Sequence, residues 1–368
     1  MRTLIEITKS TQNLLAHFLS SLSPPKTPSK TNQNSVQTSS SSSALPNPLE
    51  TLKSTTTLLK SHTTTLSLLL LTPPLTPSAI ITKLSDVSTS VLSGMVASAS
   101  APAPPPGETD TLGNATRGDL RAQVRRLLGT WGDVLALVVK LAQRREGVKG
   151  KDTGPTEAER QEVLAATGVV WEACDGLLKT CRDGVVGVVV RKAEELRGTL
   201  IDAVEELKEW GEDIEDDDDK GETSEDEDED ELFGAENKLG KEDKELKKLL
   251  DTSVKKLKMV GMLYQALIKR RLKSFPTPTL ATNSETSETT QSPMARLDQL
   301  MDVLKTIPDT VDDLASAFYD LDEDEATETL QTCLNHAKSA AQLVQQNWQG
   351  KDDEFTTWSG KWISALEA

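Results

Sequence analysis

Apolar side chains in this chain return every three or four residues, stretch after stretch, and that repeat admits helix packed on helix and little else. Leu49, Leu52, Thr56, Leu59, Thr63, Leu66 and Leu70 fall on one helical face, and Ile80, Leu84, Val87, Val91 and Met95 on another. Leu120, Val124, Leu127, Trp131, Val134 and Val138 repeat the pattern, as do Val163, Val170, Trp171, Cys174, Leu177, Leu178 and Cys181. Further stripes run through Leu297, Leu300, Met301 and Leu304, from Leu330 and Cys333 through Ala341 to Trp348, and through Phe355, Trp358, Trp362 and Leu366. One run, Gly-Val-Val-Gly-Val-Val-Val at 184–190, has the composition of a strand. It has no second strand candidate to pair with, and Ala193, Leu196, Leu200, Val204 and Leu207 follow it at helical spacing, so it reads as helix.

Punctuation agrees with periodicity. Asn47-Pro48, Thr76-Pro77 and Ser292-Pro293 each set a capping side chain before a proline whose φ is already helical. Thr156 and Glu159 have the spacing of a capping box. Low-complexity segments at 23–44, 101–113, 147–154, 211–235 and 275–292 hold too little apolar surface to offset the entropy of ordering them, and are expected to be linkers and loops.

The 368 residues suggest two domains at roughly 100–200 residues each. The expected architecture is all-α: two up-and-down antiparallel helical bundles joined by a disordered acidic linker. The boundaries expected are a docking helix at 1–22, a Ser/Pro-rich linker at 23–44, a first bundle at 45–211, the acidic linker at 212–235, and a second bundle at 236–368 with a flexible loop at 275–292. The acidity is local. Residues 212–231 hold 15 acidic residues and one lysine, a net of −14 out of −17, which leaves about −3 for the rest of the chain.

Several function classes are disfavoured. Three cysteines (Cys174, Cys181, Cys333) are too few for a disulfide scaffold and point to a reducing compartment. The first 23 residues are interrupted by Glu6, Lys9, Gln12, Asn13 and His17, unlike the apolar core of a signal peptide, and read as a docking helix before a transit peptide. The most apolar run, 66–71, is too short to span a bilayer. A soluble intracellular protein is expected.

Catalysis has few candidates: the histidines are His17, His62 and His336, and the first two lie in Ser/Thr-rich helices without an adjacent acidic residue to orient them. Cys333 with His336 and Cys174 with Cys181 lie one turn and two turns apart and are the candidate zinc ligands, but the cysteines sit on apolar stripes as small hydrophobes. No cofactor or metal is expected. Residues 238–273 instead form a basic amphipathic helix, with Leu246, Leu250, Leu257, Val260, Tyr264 and Leu267 on its apolar side. Lys247, Lys248, Lys255, Lys256 and Lys258 are the candidate electrostatic partner face, the alternative being a solvated outer face of a bundle. The neighbouring acidic run is a competitor at high effective concentration, expected to fold over this helix and mask it, so direct DNA binding is not expected of the whole chain. Ser224, followed by Glu225, Asp226 and Glu227, has the composition of an acidophilic kinase substrate.

Two segments resemble the cyclin-D-binding (GCIP-like) protein family: Thr-Gly-Val-Val-Trp-Glu-Ala-Cys-Asp-Gly-Leu-Leu-Lys at 167–179 and Leu-Ile-Asp-Ala-Val-Glu-Glu-Leu-Lys-Glu-Trp at 200–210, with the acidic run following. The resemblance implies a non-enzymatic regulator that binds D-type cyclin and signalling adaptors and restrains cell-cycle and helix–loop–helix transcription factors. It also implies residence in both cytoplasm and nucleus, and bundles similar to those of talin and vinculin. A cytoskeletal or membrane-adjacent adaptor of that type is the alternative function. Stepping by seven through Leu250, Leu257, Tyr264 and Arg271 yields no extended zipper, so a monomer is expected. Of the residues carrying the resemblance, Trp171 and Cys174 are expected in the core, and Asp175 to cap or to pair between helices.

Overall fold

In a computed structural model, the residues described are 1–23, 47–105, 108–146, 154–212, 239–240, 243–276 and 292–368. They form ten α-helices and no strand longer than an isolated bridge residue. The all-α expectation holds because every apolar stripe has another helix to bury against. Two compact units divide the chain, Met1–Gly184 and Val185–Ala368.

The first unit contains α1 (Arg2–Ser21), α2 (Pro48–Leu71), α3 (Pro77–Asp86), α4 (Leu92–Ala99), α5 (Gly113–Glu146) and the first half of α6 (Glu157–Glu212). A single π-helical turn, Val87–Val91, joins α3 to α4. The first helix docks in this unit. Leu4 and Leu15 are buried, and Gly132 of α5 lets Leu15 approach to where an added Cβ would sit 3.2 Å away. Buried threonines on the stripes return their hydroxyls to the preceding turn: Thr8 to Leu4 O at 2.7 Å, Thr63 to Leu59 O at 2.7 Å and Thr167 to Val163 O at 2.6 Å. These bonds satisfy three of the hydroxyls that so polar a stripe carries into the core, while Thr56 Oγ1 is buried without a partner.

Caps follow the sequence in most places. Asn47 accepts from Leu49 N at 3.0 Å, and Ser292 from Ala295 N at 3.2 Å. Thr76 does not cap α3; its hydroxyl donates backwards to Pro74 O at 3.3 Å. The Thr156–Glu159 box forms, with Thr156 N donating to Glu159 at 2.8 Å and Glu159 N to Thr156 at 3.3 Å. Segments expected to be loose are anchored at their ends. Asp110 accepts from Leu112 N and Gly113 N and receives both guanidinium nitrogens of Arg117 at 2.7 and 2.6 Å; Phe275 is buried edge-on against Trp348.

The second unit begins with the remainder of α6, and this departs from the boundary expected at 211/212. Gly184 has φ 61° and ψ −156°, a conformation open essentially to glycine alone, so helical geometry stops there. From Val185 onward α6 packs with the later helices: α7 (Lys244–Leu267), α8 (Pro293–Tyr319), α9 (Glu323–Leu343) and α10 (Glu354–Glu367). Trp210 meets Tyr319 edge-on at 5.3 Å, Arg197 Nε donates to Gly261 O at 3.2 Å, and Lys247 donates to Gly211 O. The stripe read through to Trp348 is helical only to Leu343. Beyond it the chain turns through Gly350, at φ 74°, and returns in α10 behind an Asp353–Thr356 capping box.

Candidate interaction surfaces

In the first unit the segment 167–179 lies on α6 with Val170, Cys174 and Leu177 turned into the core. Trp171 corrects the expectation. It is 39% exposed, because it sits about 100° around the helix from Val170, and the narrow stripe of Val163, Val170, Cys174 and Leu177 already fills the core. Asp175, one turn on, accepts from Lys60 of α2 at 2.6 Å, and the same ammonium lies 6.0 Å from the centre of the Trp171 ring. The indole is thus held on the surface by a cation and its carboxylate partner. Leu164, two turns earlier on the same face, is also exposed. Glu205 and Glu206, in the second matched segment, are exposed.

The cysteines are set for packing. Burial pushes the Cys174 thiol up to about 12, with Lys60 drawing it down and Asp175 raising it further; burial likewise pushes Cys181 to about 11 and Cys333 to about 12. Such thiols stay protonated near neutrality and pack as small hydrophobes. Among the described residues no group of three or more His, Cys, Asp and Glu side chains is placed to hold a metal ion. His17 is exposed and His62 half-buried, while His336 lies 3.5 Å from the Thr310 hydroxyl. No described helix is long and apolar enough to cross a membrane.

In the second unit the five lysines of the basic helix do different things. Lys247 is spent on the carbonyl of Gly211, and Lys256 is half-buried off the outer stripe. Lys248, Lys255 and Lys258 are exposed along one face, Lys248 with Glu245 at 3.8 Å. That face continues to Met262 and Lys269, which sequence reading left out because Met262 falls on the polar side of the helix, away from the leucines. Its spacing from Lys255 and Lys258, at seven and four residues, was the available signal. Ser224 and the acidic run from 213 onward lie outside the described residues, and with them the expected masking of this helix.

An ion pair between a buried arginine and a half-buried aspartate organises the end of this unit. Arg271, 1% exposed, is turned inward by the π-helical turn Ile268–Leu272 and meets Asp353 with two hydrogen bonds, at 2.7 and 2.8 Å. It also donates to Val344 O and Gln345 O and stacks over Phe355 at 4.4 Å, so its charge is paired and its donors are used. The Arg271 hydrogen bonds hold the Asp353 carboxyl at about 2, against some opposition from burial.

The fold and these surfaces together define an all-α protein whose accessible features are helix faces. Residues 51–213 match the family described as Grap2 and cyclin-D-interacting, N-terminal. Over that stretch, somewhat under half of its length, the chain is similar to members of that family. An uncharacterized protein of the fission yeast Schizosaccharomyces pombe is 24% identical to it over 325 residues, 87% of this chain and 84% of the relative.

Proposed function

We propose that this protein is a non-enzymatic regulator that acts by binding another protein, a D-type cyclin or a helix–loop–helix transcription regulator, in control of cell-cycle progression or transcription. It works as a monomer in cytoplasm and nucleus, without binding DNA itself. The observation that carries the reading is Trp171. In the family-matched region an indole is kept at the surface, propped by Lys60 and Asp175, where the core does not need it. Exposed tryptophans on rigid helices are common anchors of protein interfaces. The family description supports the class of partner, since it names cyclin D and Grap2 as what family members interact with.

The test is titration of the full-length chain with a purified D-type cyclin by calorimetry, alongside Trp171→Ala and Asp175→Asn. Both positions are exposed, so both variants keep the helical circular dichroism of the parent. Trp171→Ala is expected to weaken binding by tenfold or more, a hot-spot loss of about 2 kcal/mol. Absence of binding by the parent chain, or unchanged affinity in Trp171→Ala, overturns the reading.

A further inference from the structure

In the second unit α10 is fastened onto α7 at two places and held open between them. Trp362 Nε1 donates to Met259 O at 2.9 Å, and Arg271 binds Asp353 at the N-cap of α10. Between these clamps lies a groove of about 490 Å³, floored by Ala266, Phe355 and the half-buried Trp358, with Met262 on its α7 wall. Met262 is 53% exposed although methionine is an apolar side chain with its place usually inside. Trp358 is set rigidly between Phe355 at 5.6 Å and Trp362 at 6.2 Å, so its open face is presented in one orientation.

Exposed lysines extend along α7 from this groove, and one more stands on α10. Lys255, Lys258 and Lys269 stand on the exposed stripe of α7 beside Met262, and Lys361 stands one turn beyond Trp358 on α10; all four are exposed, and among the described residues none makes an ion pair. Arg270 is differently placed, being paired with Glu354 at 2.8 Å. The π-helical turn at Ile268–Leu272 sets this division, sending Arg271 into the core while Lys269 and Arg270 stay outside. From Lys255 to Lys269 the face runs about 21 Å, close to four turns of an α-helix.

We propose that this groove receives an acidic amphipathic helix of a partner protein, its apolar side chains against Met262 and Trp358 and its carboxylates against Lys255, Lys258 and Lys269. An aromatic and a methionine beside a row of exposed lysines are complementary to an apolar stripe flanked by Asp and Glu. Nucleic acid fits less well. It has no use for a methionine at the centre of the site, and Asp251 and Glu354 interrupt the cationic field. The proposal rests on reading the chain as an interaction protein, but on a different surface from Trp171.

The experiment uses the full-length chain and a fluorescein-labelled helical peptide of about four turns, with leucines along one face and glutamates flanking them. A second peptide keeps the leucines and replaces each glutamate by lysine. The glutamate peptide is expected to bind with an affinity that falls as salt rises, and the lysine peptide at least tenfold more weakly. Met262→Glu should weaken the glutamate peptide about tenfold. Lys255→Glu with Lys258→Glu should do likewise and flatten the salt dependence, while Trp171→Ala leaves the peptide untouched. All these positions are exposed, and a thermal melt of each variant establishes that it is folded. Equal binding of both peptides, unchanged affinity in both groove variants, or tighter binding of a DNA duplex or phosphatidylserine vesicles overturns the proposal. Cyclin binding lost with peptide binding intact sinks the previous reading alone; the reverse sinks only this one.

Discussion

Gly184 and Asp353 are single residues on which local geometry depends, for opposite reasons. At Gly184 nothing lies within 4 Å of where a Cβ would be, so Gly184→Ala meets no steric clash. The penalty is conformational, since φ 61° with ψ −156° is closed to side-chain-bearing residues, and it should amount to about 1–3 kcal/mol. Thermal denaturation reads it directly; a variant as stable as the parent would mean the backbone relaxes into continuous helix. Asp353 acts by charge. Its folded pKa of about 2 lies below its ordinary value of 3.8, so the charged form is favoured by folding. The stabilisation is complete above the ordinary value and is lost as pH falls toward about 2. Asp353→Asn should therefore lower the denaturation midpoint at pH 6 and narrow its gap from the parent as pH drops below 4, which urea titrations across that range would show. A gap independent of pH would remove the charge from the explanation.

Elements follow from local pattern where one narrow stripe decides the outcome. The stripes on α2, α5 and α8 are buried as their spacing requires, and the caps at Asn47 and Ser292, each followed by a proline, form because the side chain and the first free N–H are neighbours in sequence. Where a stripe is wide, pattern leaves a choice. Val170 and Trp171 are both candidates for one core position, and only the width of the space available, a tertiary property, sends the indole outside. The Arg271–Asp353 pair joins residues 82 apart and has no local signature; its donors and acceptors meet only once α10 has docked. The α6–α7 contact is of the same kind. Gly261 sits where an added Cβ would lie 2.9 Å from Ile201 Cδ1. That atom is the free end of a flexible side chain, so Gly261→Ala should stay within about 1 kcal/mol of the parent, the methyl's crowding offset by helix propensity. Gly261→Leu has no such outlet and should cost about 1–3 kcal/mol by overpacking. Equal melting temperatures for the two variants would mean these helices are not held at this distance.

For the whole molecule the unequal distribution of charge matters more than its total. Residues 212–231 account for −14 of the −17, while none of the packing described above draws on residues 213–238. The rest of the chain carries about −3, and α7 displays Lys248, Lys255 and Lys258 on one exposed face. At low ionic strength the field of the acidic run reaches about 30 Å and opposes any polyanion approaching those lysines; at physiological salt it reaches about 8 Å. A variant lacking residues 213–231 should therefore keep the parent's circular dichroism and melting temperature and elute from an anion exchanger at much lower salt. It should also bind the glutamate-flanked peptide more tightly than the parent does, with the difference largest near 10 mM salt and small near 150 mM. Lys255→Glu with Lys258→Glu in that variant should abolish the gain. A gain that survives this double substitution would place the effect of the acidic run somewhere other than the α7 face, and a fall in melting temperature would show that the run contributes to the fold and not only to its field.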